Sequence, residues 1–101
     1  DGDETPELAA LREVREETGV EAEVDRELGE VRYWYQRDGR RIAKSVQFFL
    51  LRWRAGDPEA HEDFEVDLAR WMPIAEAATS LSHRGEREMV ARALSVLEPG
   101  R

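Results

Sequence analysis

Residues 4–20, which run ETPELAALREVREETGV, decide the fold. At about 100° per residue on an α-helix, Glu13, Glu16 and Glu17 fall within one arc of roughly 100°. Apolar side chains take the other side, at Leu8, Ala10, Leu11 and Val14. The stretch therefore predicts an amphipathic helix with one acidic face and one face that packs against the rest of the protein.

Both ends of this helix are marked in the sequence. Thr5 is a good N-cap residue, and Pro6 suits the first helical position because its missing N–H has no partner there. Gly19 follows Thr18 at the place where a left-handed residue usually ends a helix. We predict a helix from about Pro6 to Thr18.

The acidic face has two interpretations. Like charges three or four residues apart cost about 0.2–0.5 kcal/mol per pair, which a bound cation offsets. Hard divalent cations such as Mg²⁺ or Mn²⁺ prefer carboxylate oxygens and bind phosphate through their remaining positions. A solvated helix face is the other interpretation, and it is the usual one for a Glu-rich helix. Spacing alone does not choose between them.

The order of the residues resembles the signature of the Nudix hydrolases. Every fixed position of that signature from its first glutamate onward is filled, as Glu4-x7-Arg12-Glu13-Val14-x-Glu16-Glu17-x-Gly19-Val20. The glycine that begins the signature belongs six residues before Glu4, before the first residue of this sequence. We therefore expect a Nudix domain that lacks its N-terminal strands.

The resemblance implies an α/β fold, specifically an α/β/α sandwich with a mixed sheet, and residues 1–101 as a single, N-terminally incomplete domain. Hydrophobic patterning predicts strands at residues 20–24, 28–36, 41–53 and 68–72. The Asp38-Gly39 pair predicts a hairpin turn. A short helix from about Ile74 and a final helix at residues 84–97, capped by Ser82 or a neighbour, complete the expected order.

Composition limits the class of protein. The 101 residues include 15 basic and 23 acidic side chains, for a net charge of −8, which disfavours binding to nucleic-acid duplexes. The absence of cysteine excludes disulfides and thiolate metal sites. Since no apolar run approaches the ~20 residues of a membrane span, we expect a cytoplasmic protein without a membrane partner. Sheet edges left by missing strands would permit a homodimer.

The resemblance assigns roles to the signature residues. Glu16 and Glu17 would bind Mg²⁺ or Mn²⁺, and Glu13 would be a further ligand or the catalytic base. Arg12 and Glu4 would form an ion pair that orients the loop before the helix. The implied reaction is attack by water on a phosphorus of a nucleoside diphosphate linked to another group.

A further carboxylate is expected from the acidic loop in the second half of the chain. Glu65 lies six residues before Trp71, an arrangement that resembles the family's late catalytic carboxylate. We predict that Glu65 binds metal or acts as general base. A solvated loop acid is an equal alternative, because Glu62, Asp63 and Asp67 lie in the same loop.

Two strand residues bear on the substrate. Lys44 and Tyr33 are similar in placement to residues of bacterial diadenosine polyphosphate hydrolases, which are MutT-like, and the resemblance implies a lysine on phosphate and a tyrosine stacked on adenine. A surface lysine and a core aromatic are the alternatives. We predict a small-molecule nucleotide substrate, a dinucleoside polyphosphate, with nucleoside triphosphates, capped RNA ends or a non-catalytic nucleotide-sensing role as alternatives. His83 is assigned no role.

Overall fold

The computed structural model describes residues 3–60 and 69–98. Its elements are, in order, helix α1 (Pro6–Thr18), strand β1 (Glu21–Arg37), strand β2 (Arg40–Ala55), a 3₁₀ turn (Pro58–Ala60), helix α2 (Ile74–Ser80) and helix α3 (Arg84–Leu97). The two strands form one two-stranded antiparallel sheet. The α/β class is confirmed, and the described residues contain the antiparallel pair of the expected mixed sheet.

Local signals set the bounds of α1 as the sequence predicts. The Thr5 hydroxyl accepts a hydrogen bond from the Leu8 N–H at 3.2 Å, and Pro6 occupies the first turn. Gly19 adopts φ 75°, and its N–H donates to the Arg15 carbonyl at 2.9 Å. The left-handed conformation costs a glycine little, so it ends the helix there.

The apolar face of α1 is less covered than the sequence predicts. No residue of α1 is buried within the described part of the chain, and Leu8 is 55% exposed. Val14 and Thr18 lie nearer the hairpin, where they line a pocket with Ala22 and Leu51. Packing is therefore concentrated at the C-terminal half of the helix.

Strand β1 corrects the expectation of two separate strands, because it continues through residues 25–27, where an interruption was expected, and on through Gly29. Gly29 adopts φ 149°, and a Cβ at this position would collide with the Arg92 guanidinium and press on Met89 of α3. Arg92 also donates to the Leu28 carbonyl at 2.9 Å. The glycine thus permits a close approach by α3, and it does not break the strand.

The hairpin turn is confirmed at Asp38 and Gly39, with φ of 51° and 73°. Two positive values are what a two-residue type I′ turn requires. This turn places residue 37 opposite residue 40. The ion pairs at the other end of the hairpin, Arg52 with Asp25 and Arg54 with Glu23, both 2.8 Å, lie in the same register.

The strand expected at residues 68–72 is wrong for the part that the structure describes, since residues 69–72 have no strand conformation. Trp71 is 57% exposed and Pro73 follows directly after Met72. The apolar side chains that suggested a strand therefore do not alternate onto a covered sheet face, and Leu68 lies outside the described residues.

The chain divides into two compact units. The first comprises residues 1–26 and 49–72, with α1 and the ends of the hairpin farthest from its turn. The second comprises residues 27–48 and 73–101, with the turn side of the hairpin, α2 and α3. The single-domain expectation stays a prediction. None of the helices in the described ranges has the length and apolar character to cross a bilayer.

The core of the second unit is formed by Val31, Met89 and Ala93, which are at most 6% exposed. Helix α2 packs on α3. Helix α3 begins after His83, whose ring Nδ1 accepts a hydrogen bond from the Gly85 N–H at 3.0 Å. The predicted bounds of α3 are confirmed, with the neighbour of Ser82 as its cap.

Candidate functional site in the acidic helix

Helix α1 presents three exposed carboxylates, those of Glu13, Glu16 and Glu17. Their positions along one regular helix place them on one side, as the sequence predicts. Exposure matters chemically because a solvated carboxylate can exchange water for a cation without unpacking the protein. The three side chains therefore form an accessible acidic face.

Arg12 connects this face to the residue before the helix. Its Nε and Nη2 donate to the two carboxylate oxygens of Glu4 at 2.7 and 3.0 Å, which confirms the predicted ion pair. This hydrogen bonding lowers the pKa of Glu4 and raises that of Arg12. A bidentate contact of this kind fixes the relative orientation of the two side chains as well as pairing their charges.

Arg12 makes a second ion pair that the sequence analysis missed. Its Nη1 donates to Glu16 Oε1 at 2.7 Å, one turn further along α1. The spacing of four residues between Arg12 and Glu16 is the signal that could have predicted it. One guanidinium therefore holds Glu4 and one of the expected metal ligands together.

The acidic face fits a divalent cation by its chemistry. Carboxylate oxygens are the donors that Mg²⁺ and Mn²⁺ prefer, and three of them share one helix side. Within residues 3–60 and 69–98, no three acidic or histidine side chains converge on one point. Glu16 is also bound by Arg12, so a cation that binds Glu16 competes with the guanidinium. The donors are present, and binding would require them to rearrange.

The late carboxylate expected at Glu65 lies outside the described residues, as do Glu62, Asp63 and Asp67. Its role stays a prediction. Lys44 is exposed on β2, and the register of the hairpin places it opposite Tyr33. Its contact with phosphate also stays a prediction.

Tyr33 is held by neighbours within the second unit. Its hydroxyl donates to Glu86 Oε2 at 2.9 Å, and its ring meets the His83 ring edge-on with centroids 4.5 Å apart. Burial and the Glu86 carboxylate raise the pKa of Tyr33 to about 12. The expected stacking on adenine stays a prediction, but Tyr33 already has a structural role. His83, assigned no role from sequence, caps α3 and contacts Tyr33.

Tyr33 gives a prediction about alkaline stability. The folded-state pKa of Tyr33 is raised from 10.0 to about 12. Its contribution to the free energy of unfolding is therefore complete below about pH 10 and is lost as pH rises through 12. We expect Tyr33→Phe to lower the free energy of unfolding by about 1 kcal/mol near neutral pH. The difference from the parent protein should shrink at high pH.

Urea unfolding of both proteins across this pH range measures the effect. Tyr35→Phe is the matched control, since Tyr35 is 43% exposed. A deficit in Tyr33→Phe that stays constant from neutral pH to about pH 12 would contradict the prediction.

A glycine contact supports the C-terminal end of α1. Gly56, after β2, adopts φ 99°, and a Cβ there would collide with the Gly19 carbonyl and touch Val20. Trp53 donates from its indole Nε1 to the Gly56 carbonyl at 2.9 Å, which fixes this loop. Beside it lies an apolar pocket of about 230 Å³, lined among others by Trp53 and Trp71. The end of the acidic helix is thus in direct backbone contact with the loop after β2.

The described residues thus combine an exposed acidic helix, an arginine that ties it to the preceding turn and a glycine that ends it. A family model described as the NUDIX domain matches residues 1–93. The chain belongs to the Nudix family, whose hydrolases use divalent metal ions.

Three relatives show the same membership. The chain is 42% identical over 86 residues to a Mycobacterium tuberculosis protein named as a mutator, MutT4, covering 85% of this chain and 34% of that protein. It is 33% identical over 92 residues to an 8-oxo-(d)GTP phosphatase of Mycolicibacterium smegmatis, covering 91% and 27%. It is 32% identical over 92 residues to an RNA pyrophosphohydrolase of Roseobacter denitrificans, covering 77% and 58%. The chain spans between about a quarter and three fifths of the length of these three proteins.

Proposed function

We propose that this protein is a divalent-metal-dependent hydrolase that cleaves a pyrophosphate linkage in a nucleoside diphosphate joined to another group. The observation that carries the proposal is the acidic face of α1, tied to Glu4 through Arg12, in a chain of the Nudix family. The ion pairs of Arg12 account for Glu4 and Glu16 but not for the exposed Glu13 and Glu17 on the same helix.

Each residue of the site has its own role in the proposed reaction. Glu16 and Glu17 hold the cation, with Glu13 and Glu65 as further ligands or as the base that accepts the proton of the attacking water. Arg12 sets the direction of Glu16 and of the turn at Glu4. When bound, Mg²⁺ or Mn²⁺ neutralises charge on the phosphate oxygens and acidifies the attacking water.

For the substrate, we propose a purine nucleoside triphosphate with an oxidised base. The names of two relatives, an 8-oxo-(d)GTP phosphatase and a mutator protein, support this choice. A dinucleoside polyphosphate is the second candidate, favoured by the exposed Lys44 beside Tyr33. It ranks lower because Tyr33 is engaged by Glu86 and His83, which restricts the ring on which adenine would stack.

A substrate panel tests the proposal. Release of pyrophosphate or mononucleotides is measured with 8-oxo-dGTP, diadenosine polyphosphates and 5′-triphosphate RNA, each with Mg²⁺, with Mn²⁺ and with EDTA. We expect turnover that requires the metal and is fastest on 8-oxo-dGTP. Tight nucleotide binding with no turnover under saturating metal would instead support a sensing module. The cytoplasmic location and the homodimer stay predictions, and size-exclusion chromatography tests the latter.

A further inference from the structure

The turn side of the hairpin concentrates positive charge. We call residues 32–44 the hairpin tip. It contains five cations and one acid, Asp38, so its net charge is +4, whereas the rest of the chain carries −12 to give the total of −8. The five cations are all exposed: Arg32, Arg37, Arg40, Arg41 and Lys44. Such separation of charge within an acidic protein creates a local field that attracts anions.

These cations differ in their partners from the other arginines of residues 3–60 and 69–98, with the exception of Arg70, which has no ion pair with those residues either. Elsewhere, six arginines pair with a carboxylate: Arg12, Arg15, Arg26, Arg52, Arg54 and Arg84. Arg87 and Arg92 donate to backbone carbonyls. By contrast, none of the five cations of the hairpin tip pairs with a carboxylate of residues 3–60 or 69–98. Their charge is therefore available to an external anion.

Exposed aromatic rings lie among these cations. Trp34 is 52% exposed and Tyr35 is 43% exposed. The guanidinium carbon of Arg41 lies 4.2 Å from the centroid of the Trp34 ring, so the two planar groups stack. The exposed ring of Trp34 is therefore accessible to a ligand. Nucleic-acid bases stack on aromatic rings and on guanidinium planes alike.

We propose that the hairpin tip binds single-stranded RNA. Cations alone would suit any polyanion, but on one face of the hairpin the exposed Arg32 and Arg41 flank the exposed ring of Trp34, and this combination matches a chain of phosphates with unpaired bases. The six residues 32–37 of the tip extend about 20 Å along β1, enough to contact several phosphates. On the same face as Trp34, the exposed Gln36 supplies hydrogen-bonding groups for ribose 2′-hydroxyls. A duplex hides its bases and would bring more phosphate near the acidic remainder of the chain.

Fluorescence anisotropy of a labelled RNA of about 12 nucleotides, in EDTA, tests the proposal on the full chain. EDTA keeps metal-dependent hydrolysis out of the measurement, so the outcome does not depend on the proposed function. We expect a dissociation constant on the order of 10⁻⁵ M at about 50 mM salt, and binding that weakens steeply with added salt. DNA of the same sequence and an RNA duplex should bind more weakly.

Two pairs of variants separate the hairpin tip from general charge effects. Arg32→Gln with Arg41→Gln should weaken binding by roughly tenfold and reduce the salt slope by about 1.4, since each lost phosphate contact removes about 0.7. The matched control, Arg26→Gln with Arg84→Gln, removes the same charge outside the tip and should leave the salt slope unchanged. The two double variants carry the same net charge.

The stacking contribution has its own test. Trp34→Ala should weaken RNA binding by about fivefold or more, and Trp34→Phe should restore most of it because phenylalanine also stacks. Thermal unfolding shows whether each variant is folded. Equal weakening by the two arginine pairs, equal affinity for DNA and RNA, or an unchanged affinity in Trp34→Ala would each overturn the proposal.

Discussion

Replacing Glu17 with glutamine is expected to reduce metal-dependent hydrolysis by at least about 100-fold and to leave the fold intact. Glutamine has nearly the same size as glutamate but no negative charge, so the cation loses an anionic ligand on the acidic face of α1. Because Glu17 is exposed, we expect the free energy of unfolding to change by no more than about 0.5 kcal/mol.

Steady-state hydrolysis at increasing Mg²⁺ concentration measures this effect on the best substrate of the panel. Glu7→Gln is the matched control, because Glu7 is an exposed glutamate in the first turn of the same helix but outside the acidic face. It should retain activity close to that of the parent protein. Comparable rates for parent and Glu17→Gln at limiting Mg²⁺ would remove Glu17 from the proposed ligands.

Replacing Arg12 with glutamine or lysine is expected to lower hydrolysis at saturating metal by about 10- to 100-fold. Glutamine removes the charge, and lysine keeps the charge without the planar fork that binds both oxygens of Glu4. Arg12 acts here as a positioning residue. The same change releases Glu16 from its ion pair, so the metal concentration needed for half-maximal rate should not rise.

A pH series gives a second readout for Arg12. The pKa of Glu4 is lowered from its ordinary 4.5, chiefly by the hydrogen bond from Arg12. The stabilisation from this contact is therefore present above that value and is lost as pH falls through the lowered folded-state pKa. Arg12→Gln should lose stability at neutral pH and show a smaller further loss on acidification than the parent.

Arg15→Gln is the control for Arg12, since Arg15 is exposed on the same helix and lies 4.0 Å from Glu21. It should change neither the saturated rate nor the acid transition appreciably. Full recovery of Arg12→Gln at high Mg²⁺ would show that Arg12 affects metal affinity alone, contrary to a positioning role.

Elements set by local chemistry were predictable from the sequence. The ends of α1 depend on Thr5, Pro6 and Gly19, and the hairpin turn depends on Asp38 and Gly39. Each of these residues acts on its own backbone or on a neighbour within four residues, so no knowledge of distant packing was needed. The ion pair of Arg12 with Glu4 is also local in sequence and was predicted.

Features set by distant residues were not predictable. The requirement for glycine at position 29 arises from Met89 and Arg92, 60 or more positions away. The partners of Tyr33 likewise come from α3, through Glu86 and the cap residue His83. A single sequence contains no signal that brings such positions together, and aromatic residues suit both packing and ligand binding.

The contact between Gly56 and Gly19 joins the end of the signature to a residue that the signature does not include. Both residues have positive φ, and the backbone of Gly19 lies too close to Gly56 for position 56 to gain a side chain. The end of the acidic helix therefore depends on a small residue at position 56, although the signature itself ends at Val20. A search that scores only residues 4–20 would accept as intact a homologue in which a larger residue at position 56 had displaced the end of its acidic helix.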